Sequence, residues 1–386
     1  MTNSKVINPP AMLGMLGGGQ LGRFFVIAAH EMGYQVTVLD PDANSPAGKI
    51  ADVHICAQFD DVAALQQMAS TCSAVTTEFE NVPASTLEKL AETVTVRPSA
   101  ASVAIAQNRV LEKNFIKDAG LPVAPFAVIN GLSDLPDDAS PLYPAILKVA
   151  RFGYDGKGQA RVKNRAEAQA AFSTFKQEIC VLEQMLPLDL EVSVVLARDS
   201  AGHLEAFATA ENSHLNGILD VSIAPARCSE VLKANARELA KKLAEKLNYI
   251  GVLGVEFFVV DKQLLVNEIA PRPHNSGHYT IDACVTNQFE QQVRVLAGLP
   301  LGDARLHSNA VMVNILGDSW FFGDKTNPVE PAWNKAYAHT QLKMHLYGKR
   351  EARKGRKMGH FTVIGQDAKA ILNAALVARS ELHIGE

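Results

Sequence analysis

A polar tripeptide inside a long apolar segment limits how the middle of this chain can fold. Two runs rich in β-branched and aromatic residues, 254–260 and 264–270, flank the polar residues 261–263. This pattern predicts an antiparallel hairpin with a short loop. With a three-residue loop, Glu256 lies directly opposite Glu268, whereas a two-residue loop shifts the pairing by one residue and weakens that argument.

The facing carboxylates are the unusual feature of this predicted hairpin. Like charges directly opposite each other destabilise a β-ladder, and a divalent cation between Glu256 and Glu268 removes the repulsion. Magnesium takes oxygen ligands and often uses one or two carboxylates together with substrate phosphates. Asn267 is predicted on the opposite face, from where it can reach round the strand end. The alternative is an ordinary edge hairpin with solvated glutamates.

A polar loop follows the hairpin and carries further candidates for chemistry. It contains proline and glycine together with Arg272, His274, Asn275, Ser276 and His278. Loops that leave a buried scaffold often carry functional residues. The loop is therefore a candidate site next to the predicted cation.

A glycine-rich turn near the N-terminus joins a predicted strand to a predicted helix. Gly17, Gly19 and Gly22 fit the pattern G-x-G-x-x-G, and Asp40 lies near the position of a ribose-binding acid. An NAD-binding Rossmann domain is therefore one candidate. By itself the pattern implies a tight strand-to-helix turn whose backbone N–H groups can bind an anion.

Strands and helices alternate through the first hundred residues. Strands are predicted at 11–16, 34–39, 53–57, 74–79 and 94–96, with helices between some of them at about 20–32 and 62–70. This alternation predicts an open parallel sheet, whose ligands gather at the carboxyl ends of the strands. Glu78 and Glu80 lie at such an end; the alternative for each is a solvated or helix-starting carboxylate.

The middle of the chain holds a lysine inside a predicted strand and a glycine-rich loop just after it. One helix is predicted from about 99 to 119, a linker at 125–144 and a strand at 145–149. Lys148 within that apolar strand is costly unless it meets an anion. The loop could fold over phosphates, although it lacks the spacing of a Walker A motif; a flexible hairpin turn is the alternative. Its residues are Gly153, Tyr154, Asp155, Gly156, Lys157, Gly158 and Gln159.

Two acids follow on predicted strands. Glu183 lies on a strand at 179–185 and Glu191 on a strand at 190–197. The segment after Glu183 (Gln184, Met185 and Leu186) suits adenine recognition by backbone groups. His214 lies on a predicted polar turn at 211–214, where a simple loop histidine is the alternative. A helix at 229–248, capped by Ser229, leads into the hairpin.

Composition excludes several classes of protein. A length of 386 residues suggests two or three domains, and a net charge of −4 argues against general nucleic-acid binding. No apolar run approaches the roughly 18 residues of a membrane span, and the first residues predict a strand and turn rather than a signal peptide. Five cysteines without paired spacing fit a reducing cytoplasm better than disulfides or zinc.

One basic segment stands out near the C-terminus. Residues 349–357 carry six lysines and arginines, among them Arg353, Arg356 and Lys357. Arginine binds phosphate in a bidentate way and lysine binds it as a point charge. A phosphate clamp is the preferred interpretation, ahead of a solvated loop or a nucleic-acid patch.

Taken in order, these features resemble the ATP-grasp superfamily: a strand lysine, a glycine-rich lid, a hinge acid, a second acid and a carboxylate pair beside an asparagine. Within it, the chain resembles the N5-carboxyaminoimidazole ribonucleotide synthetase family from about Met12 to Ile364. The segments that carry this resemblance are residues 18–23, 78–83, 153–159, 267–278 and 355–360. Asn108 and Lys354 depart from the family, where aspartate and proline are common.

The resemblance implies a role for each candidate residue. ATP would be bound by Arg109, Lys148, residues 153–159, Glu183, Gln184, Met185, Leu186, Glu191, His214, Asn267 and Glu268. Magnesium would be held by Glu256 and Glu268. The ribonucleotide would be bound by Gly19, Gln20, Leu21, Glu78, Tyr154, Asn275, Ser276, Arg353, Arg356 and Lys357. Arg272 would stabilise carboxyphosphate, and His274 or His278 would handle a proton.

The implied architecture is α/β and has three parts. An N-terminal open parallel sheet (pre-ATP-grasp) spans about 1–108, an ATP-grasp core 109–305 with a mobile lid at about 145–205, and a small β-rich domain 306–386. The implied reaction joins bicarbonate to 5-aminoimidazole ribonucleotide at the expense of ATP, in a cytoplasmic homodimer. The competing functions are another ATP-grasp carboxylate–amine ligase, such as a formate-using glycinamide ribonucleotide enzyme, and an NAD-dependent oxidoreductase or nucleotide sensor.

Overall fold

The computed structural model describes residues 6–151, 158–323 and 326–385. Most of the predicted lid, namely Gly153, Tyr154, Asp155, Gly156 and Lys157, lies outside the described residues. Among the helices within these ranges, none has both the length and the apolar character required to cross a membrane.

The first hundred residues form the predicted open parallel sheet. Its elements are β1 (Met12–Leu16), α1 (Gln20–Glu31), β2 (Gln35–Leu39), β3 (Val53–Ile55), α2 (Val62–Thr71), β4 (Ala74–Thr77), α3 (Ala84–Ala91), β5 (Thr95–Val96) and α4 (Ala100–Ala106). The strand order is β3-β2-β1-β4-β5, with every pair parallel. β1 lies between β2 and β4, so the order in which successive strands are added to the sheet changes sides at β1. Open parallel sheets bind ligands at such a point.

The predicted helix from 99 to 119 is two helices, because Asn108 interrupts it. Its side chain accepts the N–H groups of Val110 at 2.9 Å and Leu111 at 3.4 Å, which makes it the N-cap of α5 (Arg109–Asp118). An asparagine that bonds its own backbone favours caps over helix interiors. The break allows α5 to run in its own direction and to present Arg109 at its first turn.

A four-stranded antiparallel sheet follows. Its elements are β6 (Phe126–Ile129), β7 (Ala145–Val149), β8 (Gln159–Val162), α6 (Arg165–Thr174) and β9 (Cys180–Gln184), and the strand order is β6-β9-β7-β8. The prediction of a linker over 125–144 was wrong in part, because β6 pairs along its whole length with β9. The sheet buries Ile129, Leu147 and Leu182 against Phe172 of α6.

The remaining strands form one nine-stranded sheet. The elements are β10 (Leu190–Arg198), β11 (Leu204–Ala206), β12 (Ala210–Leu215), β13 (Ile218–Ala224), α7 (Glu230–Lys246), β14 (Gly251–Val260), β15 (Gln263–Ala270), α8 (Thr280–Ala283), α9 (Gln288–Ala297), β16 (Asn309–Leu316), α10 (Trp333–Tyr337), β17 (Leu342–Leu346), β18 (Lys357–Gly365) and α11 (Ala368–Glu381). Its order is β15-β14-β10-β12-β13-β16-β18-β17, with β11 beside β10. The predicted polar turn at 211–214 was wrong: these residues belong to β12.

The predicted hairpin is present, but its geometry differs from the expected one. Its loop has two residues, Asp261 and Lys262, both in the left-handed region with φ of 49° and 62°. The two-residue loop shifts the strand pairing by one residue from the predicted register. A β-bulge at Asn267 reverses this shift, so that Glu256 does face Glu268. The facing pair was correctly predicted, whereas the loop length from which it was counted was wrong.

Candidate active site

The two facing glutamates lie in different electrostatic surroundings. Burial and the neighbouring Glu268 raise the pKa of Glu256 to about 7. Burial also opposes ionisation of Glu268, but the Arg109 guanidinium, 3.2 Å away, and Lys148 together lower the pKa of that carboxyl. The structure thus brings the predicted metal pair together and keeps one member charged.

The bulge places an amide beside this pair. Asn267 was predicted on the opposite face, yet its Nδ2 lies 3.4 Å from Glu256 Oε2 because a bulge sets two residues against one. Its Oδ1 is buried and finds no hydrogen-bond partner among the described residues. Two carboxylates and an unpartnered amide oxygen are the donors that a hard cation takes.

The rest of a coordination shell would have to come from a ligand. Within the described ranges, no three His, Cys, Asp or Glu side chains form a group that could hold an ion. Magnesium usually keeps few protein ligands and completes its shell with substrate phosphates and water. The residues present therefore fit a cation that enters together with a nucleotide.

The buried lysine of β7 contacts an anion, as predicted from the free-energy cost of burying an unpaired charge. Lys148 Nζ lies 3.3 Å from Glu183 Oε2, and Lys113 Nζ of α5 lies 3.1 Å from the same oxygen. Burial opposes the charge on Glu183, but the two lysines outweigh it and lower its pKa. Lys113 also donates to the carbonyl of Asn267 at 2.8 Å. One network therefore joins Glu183, the predicted hinge acid, to β15, the strand that carries Glu268.

Other predicted nucleotide residues lie on the strands around this network. His214 Nδ1 is 3.1 Å from Glu191 Oε2, and this neighbour raises the pKa of His214 although burial opposes it. Gln159 pairs across the sheet with Lys148, and the carbonyl of Gly158 accepts the N–H of Val149 at 2.9 Å. Gln184 is the last residue of β9, next to Glu183, and it is followed by Met185, which is exposed, and by Leu186.

Arg272 is anchored by Glu80, which lies three residues after the end of β4 in the first sheet. Its Nε bonds Glu80 Oε2, and its Nη1 donates to the carbonyl of Pro273 at 3.1 Å. Burial opposes ionisation of Glu80, but Arg272 lowers the pKa of that carboxyl to about 2. The contact links the strand ends of the parallel sheet to the loop after the hairpin.

The Glu80–Arg272 contact gives a pH-dependent stability. The pKa of Glu80 is depressed, so its contribution is present above the ordinary pKa near 4.5 and is lost as the pH falls from 4.5 towards 2. We expect Glu80→Gln to lower the free energy of unfolding at pH 7 by on the order of 2 kcal/mol, with a smaller difference from wild type at pH 3. Urea unfolding at both pH values measures it. Glu351→Gln, which removes an exposed partner of Arg353, should change the free energy of unfolding little. Equal losses of unfolding free energy in both variants would contradict a stabilising role for the Glu80–Arg272 pair.

The two loop histidines lie in different places. His274 Nε2 is 3.6 Å from Glu256 Oε1, and its Nδ1 is 2.8 Å from Ser276 Oγ. Burial and Arg272 lower the pKa of His274 to about 3, so the ring is neutral. His278 is fully buried and stacks on His360 with ring centroids 4.7 Å apart. The structure brings His274 to the carboxylate pair, whereas His278 packs in a core.

Asn275 also has unsatisfied polar atoms. Its side chain is 6% exposed, and neither its Oδ1 nor its Nδ2 finds a partner among the described residues. Buried amides are normally hydrogen-bonded. An amide left in this condition beside Arg272 and His274 indicates a place for a polar ligand.

The glycine-rich turn holds a carboxylate of the chain itself. Gly19 N–H donates to Glu78 Oε1, and Gly22 N–H donates to Glu78 Oε2 at 2.7 Å. A Cβ at Gly19 would lie 2.6 Å from Glu78 Oε1. In a dinucleotide fold the second glycine makes room for the pyrophosphate; here Glu78 fills that space. This contradicts the NAD-binding interpretation of the turn.

A cavity of about 330 Å³ opens at this turn, and its lining includes Gly18, Gly19, Asp40, Glu78, Lys349 and Arg356. Lys349 Nζ donates to Gln20 Oε1 at 3.0 Å, while Leu21 lies in the core behind the turn. Arg353 instead pairs with Glu351 on an exposed surface. Lys357 lies near enough to His274 to contribute to its lowered pKa. Acids suited to ribose hydroxyls and cations suited to a phosphate thus share one cavity.

Three residues with evident roles were missed at the level of sequence. Glu112 is buried and accepts the N–H of Ile269 at 2.6 Å. Lys113 and Lys349 lay inside segments that were noted, without roles of their own. The available signal was helical spacing: Glu112 and Lys113 follow Arg109 by three and four residues and therefore share its face.

Comparison with known proteins gives one consistent result. Three family models match consecutive parts of the chain: the ribonucleotide synthetase preATP-grasp domain at 11–107, the ATP-grasp domain at 114–289 and the phosphoribosylaminoimidazole carboxylase C-terminal domain at 310–374. The N5-carboxyaminoimidazole ribonucleotide synthase of Bacillus subtilis (strain 168) is 42% identical over 366 residues, which cover 94% of this chain and 94% of that protein.

Solved structures agree over nearly the full length. An N5-carboxyaminoimidazole ribonucleotide synthetase in complex with ADP superimposes with a TM-score of 0.92 at 40% identity and covers 99% of this chain and 100% of its own. The synthase of Aspergillus clavatus in complex with ADP and 5-aminoimidazole ribonucleotide gives a TM-score of 0.85 at 30% identity, covering 97% and 98%.

Proposed function

This chain belongs to the N5-carboxyaminoimidazole ribonucleotide synthase family of ATP-grasp ligases, and from that premise we propose its reaction. It converts ATP, bicarbonate and 5-aminoimidazole ribonucleotide into N5-carboxyaminoimidazole ribonucleotide, ADP and phosphate in purine biosynthesis. The observation that carries this proposal is the contact between Glu80 and Arg272. Glu80 directly follows Glu78 and Phe79, which line the cavity at the glycine-rich turn, and Arg272 lies on the loop beside the carboxylate pair, so that an amine and an activated acid can meet there.

ATP binds on the hairpin side of this contact. Its phosphates compete with Glu183 for Lys148, and they lie near Arg109 and the described end of the glycine-rich loop. The N–H groups of Gln184 and Met185 already donate to the carbonyls of Pro125 and Pro144, so the N–H of Leu186 and the carbonyls of Met185 and Leu186 are the backbone groups that we assign to adenine. Glu191 and His214, which contact each other, are assigned to the same nucleotide. The support for this placement is the concentration of cations around one carboxylate and the ADP complexes of the family.

Magnesium would be held by Glu256 and Glu268, with the Asn267 Oδ1 as a further donor. When bound, the ion neutralises negative charge on the β- and γ-phosphates. The fit rests on the facing carboxylates and the unpartnered amide oxygen.

The reaction runs in two steps without a covalent enzyme intermediate. A bicarbonate oxygen attacks the γ-phosphorus and the bond to ADP breaks, which gives carboxyphosphate. The exocyclic amine then attacks the carbon of carboxyphosphate, or of the CO2 formed when phosphate leaves, and the amine loses a proton. Arg272 stabilises the charge on carboxyphosphate. Burial is the larger cause of the lowered pKa of His274, and it remains when carboxyphosphate offsets the charge of Arg272. His274 Nε2 therefore accepts a hydrogen bond from the amine, and the departing phosphate takes the proton.

Arg356 is the proposed clamp for the substrate 5′-phosphate. It lines the cavity at the glycine-rich turn, whereas Arg353 pairs elsewhere. We expect Arg356→Ala to raise KM for the ribonucleotide by about 1.5–3 kcal/mol equivalent, the value of a charged hydrogen bond, with KM for ATP nearly unchanged. Arg353→Ala is the matched control and should change little.

Steady-state kinetics with the ribonucleotide and with its dephosphorylated nucleoside would check the clamp. The loss should shrink for the nucleoside, because the partner anion is gone. Equal weakening of ATP and ribonucleotide by Arg356→Ala would contradict this assignment.

The function itself is tested by ADP release. We expect release to require bicarbonate and to accelerate when 5-aminoimidazole ribonucleotide is added, with no response to formate and glycinamide ribonucleotide. Calorimetry with NAD, NADP and the ribonucleotide separates the oxidoreductase alternative. Tight NAD binding without ribonucleotide binding would overturn the proposal.

We further propose that the protein acts as a homodimer in the cytoplasm. The support is the family resemblance and five cysteines that are all free thiols. Light scattering coupled to size-exclusion chromatography would test the oligomeric state.

A further inference from the structure

Helix α5 meets the edge of the large sheet at the residue where the hairpin bulges. β15 is the last strand at one end of the nine-stranded sheet, so its outer N–H and C=O groups must find partners other than a strand of that sheet. Glu112 Oε1 accepts the N–H of Ile269 at 2.6 Å, and Lys113 Nζ donates to the carbonyl of Asn267 at 2.8 Å. These backbone groups lie immediately before and after Glu268.

Both side chains occupy positions where charge is costly. Glu112 is 2% exposed and Lys113 is 1% exposed, and residues of these types are rarely buried unless they are paired. The proposed reaction gives Glu112 no role, yet it is hydrogen-bonded to the strand that carries Glu268. An apolar residue could fill this place on a buried helix face at lower cost.

We propose that Glu112 and Lys113 are positioning residues that hold Glu268 opposite Glu256. The inference rests on the proposed function, because it takes these two glutamates as the magnesium ligands. The bulge disrupts the ladder between β14 and β15 at this point, so the ladder alone specifies the position of Glu268 weakly. The two bonds from α5 fix the backbone on either side of it.

The same helix also orients the carboxylate. Arg109, one turn before Lys113, lies 3.2 Å from Glu268 Oε2. Three residues on one face of α5 thus hold the backbone and the side chain of a single ligand. Partners of this kind usually change metal affinity by about 10- to 100-fold when they are removed.

The test measures how much magnesium strengthens ADP binding. Calorimetry gives the ADP affinity of each protein with and without Mg²⁺, and their ratio is the metal-dependent gain. Glu112→Ala removes the acceptor for the Ile269 N–H, whereas Glu112→Gln keeps an oxygen there. Ile116→Ala is the control, because Ile116 is fully buried on the same helix and its loss should lower the melting temperature without removing these bonds.

We expect Glu112→Ala to lose about tenfold or more of the metal-dependent gain, with the metal-free ADP affinity within about twofold of wild type. Glu112→Gln should keep most of the gain, and Ile116→Ala should keep all of it despite its lower melting temperature. The Ile269 amide should exchange with solvent faster in Glu112→Ala than in either other variant.

Lys113→Met provides a second test that does not depend on the folding of Glu112→Ala. It should lower the metal-dependent gain and also the metal-free affinity, because Glu183 loses one of its two lysines. The positioning role would be overturned if Glu112→Ala or Lys113→Met kept the full metal-dependent gain in ADP affinity. It would also be overturned if Ile116→Ala lost as much of this gain as Glu112→Ala. A wild-type protein whose ADP affinity does not respond to Mg²⁺ would instead overturn the metal pair itself, before any variant is compared.

Discussion

Replacing Glu256 with glutamine is expected to abolish magnesium-dependent turnover while leaving the protein at least as stable as the wild type. Glutamine cannot supply the second negative charge that the cation requires. Since Glu256 faces Glu268 and its pKa is raised to about 7, removal of its charge also removes a repulsion. ADP release as a function of Mg²⁺ concentration and thermal unfolding together check this expectation.

Glu268→Gln should be equally inactive but less stable than Glu256→Gln. The difference arises because Glu268 pairs with Arg109, and the variant leaves that guanidinium without its partner. Glu205→Gln, on an exposed position of β11, is the control for a general effect of losing a carboxylate. Near-normal turnover of either hairpin variant at ordinary Mg²⁺ concentrations would show that the metal assignment is wrong.

Removal of the Arg272 side chain is the second change with a large expected effect. We expect Arg272→Ala to lower kcat by about 10²- to 10³-fold, the usual loss when a group that stabilises an anionic intermediate is removed. Arg272→Lys should recover little, because an ammonium cannot reproduce the fixed geometry of the guanidinium. Bicarbonate-dependent ADP release gives kcat directly.

Two controls separate the chemistry from stability in this experiment. Glu80→Gln keeps the arginine but removes its anchor, so it should lower kcat less than Arg272→Ala does. Arg305→Ala, at an exposed ion pair with Asp303, should leave kcat unchanged. If Arg272→Ala retains kcat within a few fold, the stabilisation of carboxyphosphate must be assigned to another group.

Much of the architecture followed from local patterns. The alternation of short apolar runs and helical segments predicted the parallel sheet, and the single lysine in β7 predicted a buried anion. That anion is Glu183, which lies 35 positions away along the chain. The pattern could indicate the need for a partner but could not identify it, because the pairing of β7 with β9 is a tertiary choice.

The errors have identifiable physical causes. A helix was predicted through Asn108 because the apolar spacing continues on both sides, whereas the asparagine cap outweighs that periodicity. The segment at 211–214 was predicted as a turn from its polarity, but it is part of a strand, from which Asn212 donates to Ser193 of β10 and Glu211 accepts from Arg227. The prediction that Glu256 faces Glu268 was correct because two errors, in the loop and in the bulge, cancelled; between the loop and the bulge the predicted register was wrong by one residue.

The glycine-rich turn shows a limit of motif reasoning. Gly17, Gly19 and Gly22 satisfy a dinucleotide pattern, yet the turn is closed by Glu78. The spacing of the glycines indicates only that some group comes close to the backbone of the turn. It does not report whether that group is a bound phosphate or a side chain at the end of the neighbouring strand β4, such as Glu78.

The nine-stranded sheet has a consequence for how the chain can be divided. The family models separate an ATP-grasp part from a C-terminal part, but β13 and β16 are hydrogen-bonded neighbours across that border. The C-terminal strands therefore are not a module that could be exchanged between relatives as a cassette. If two relatives were recombined just before Asn309, β13 of one protein would have to pair with β16 of the other. The four-stranded sheet of β6 to β9 is hydrogen-bonded within itself, so it is the better segment to exchange.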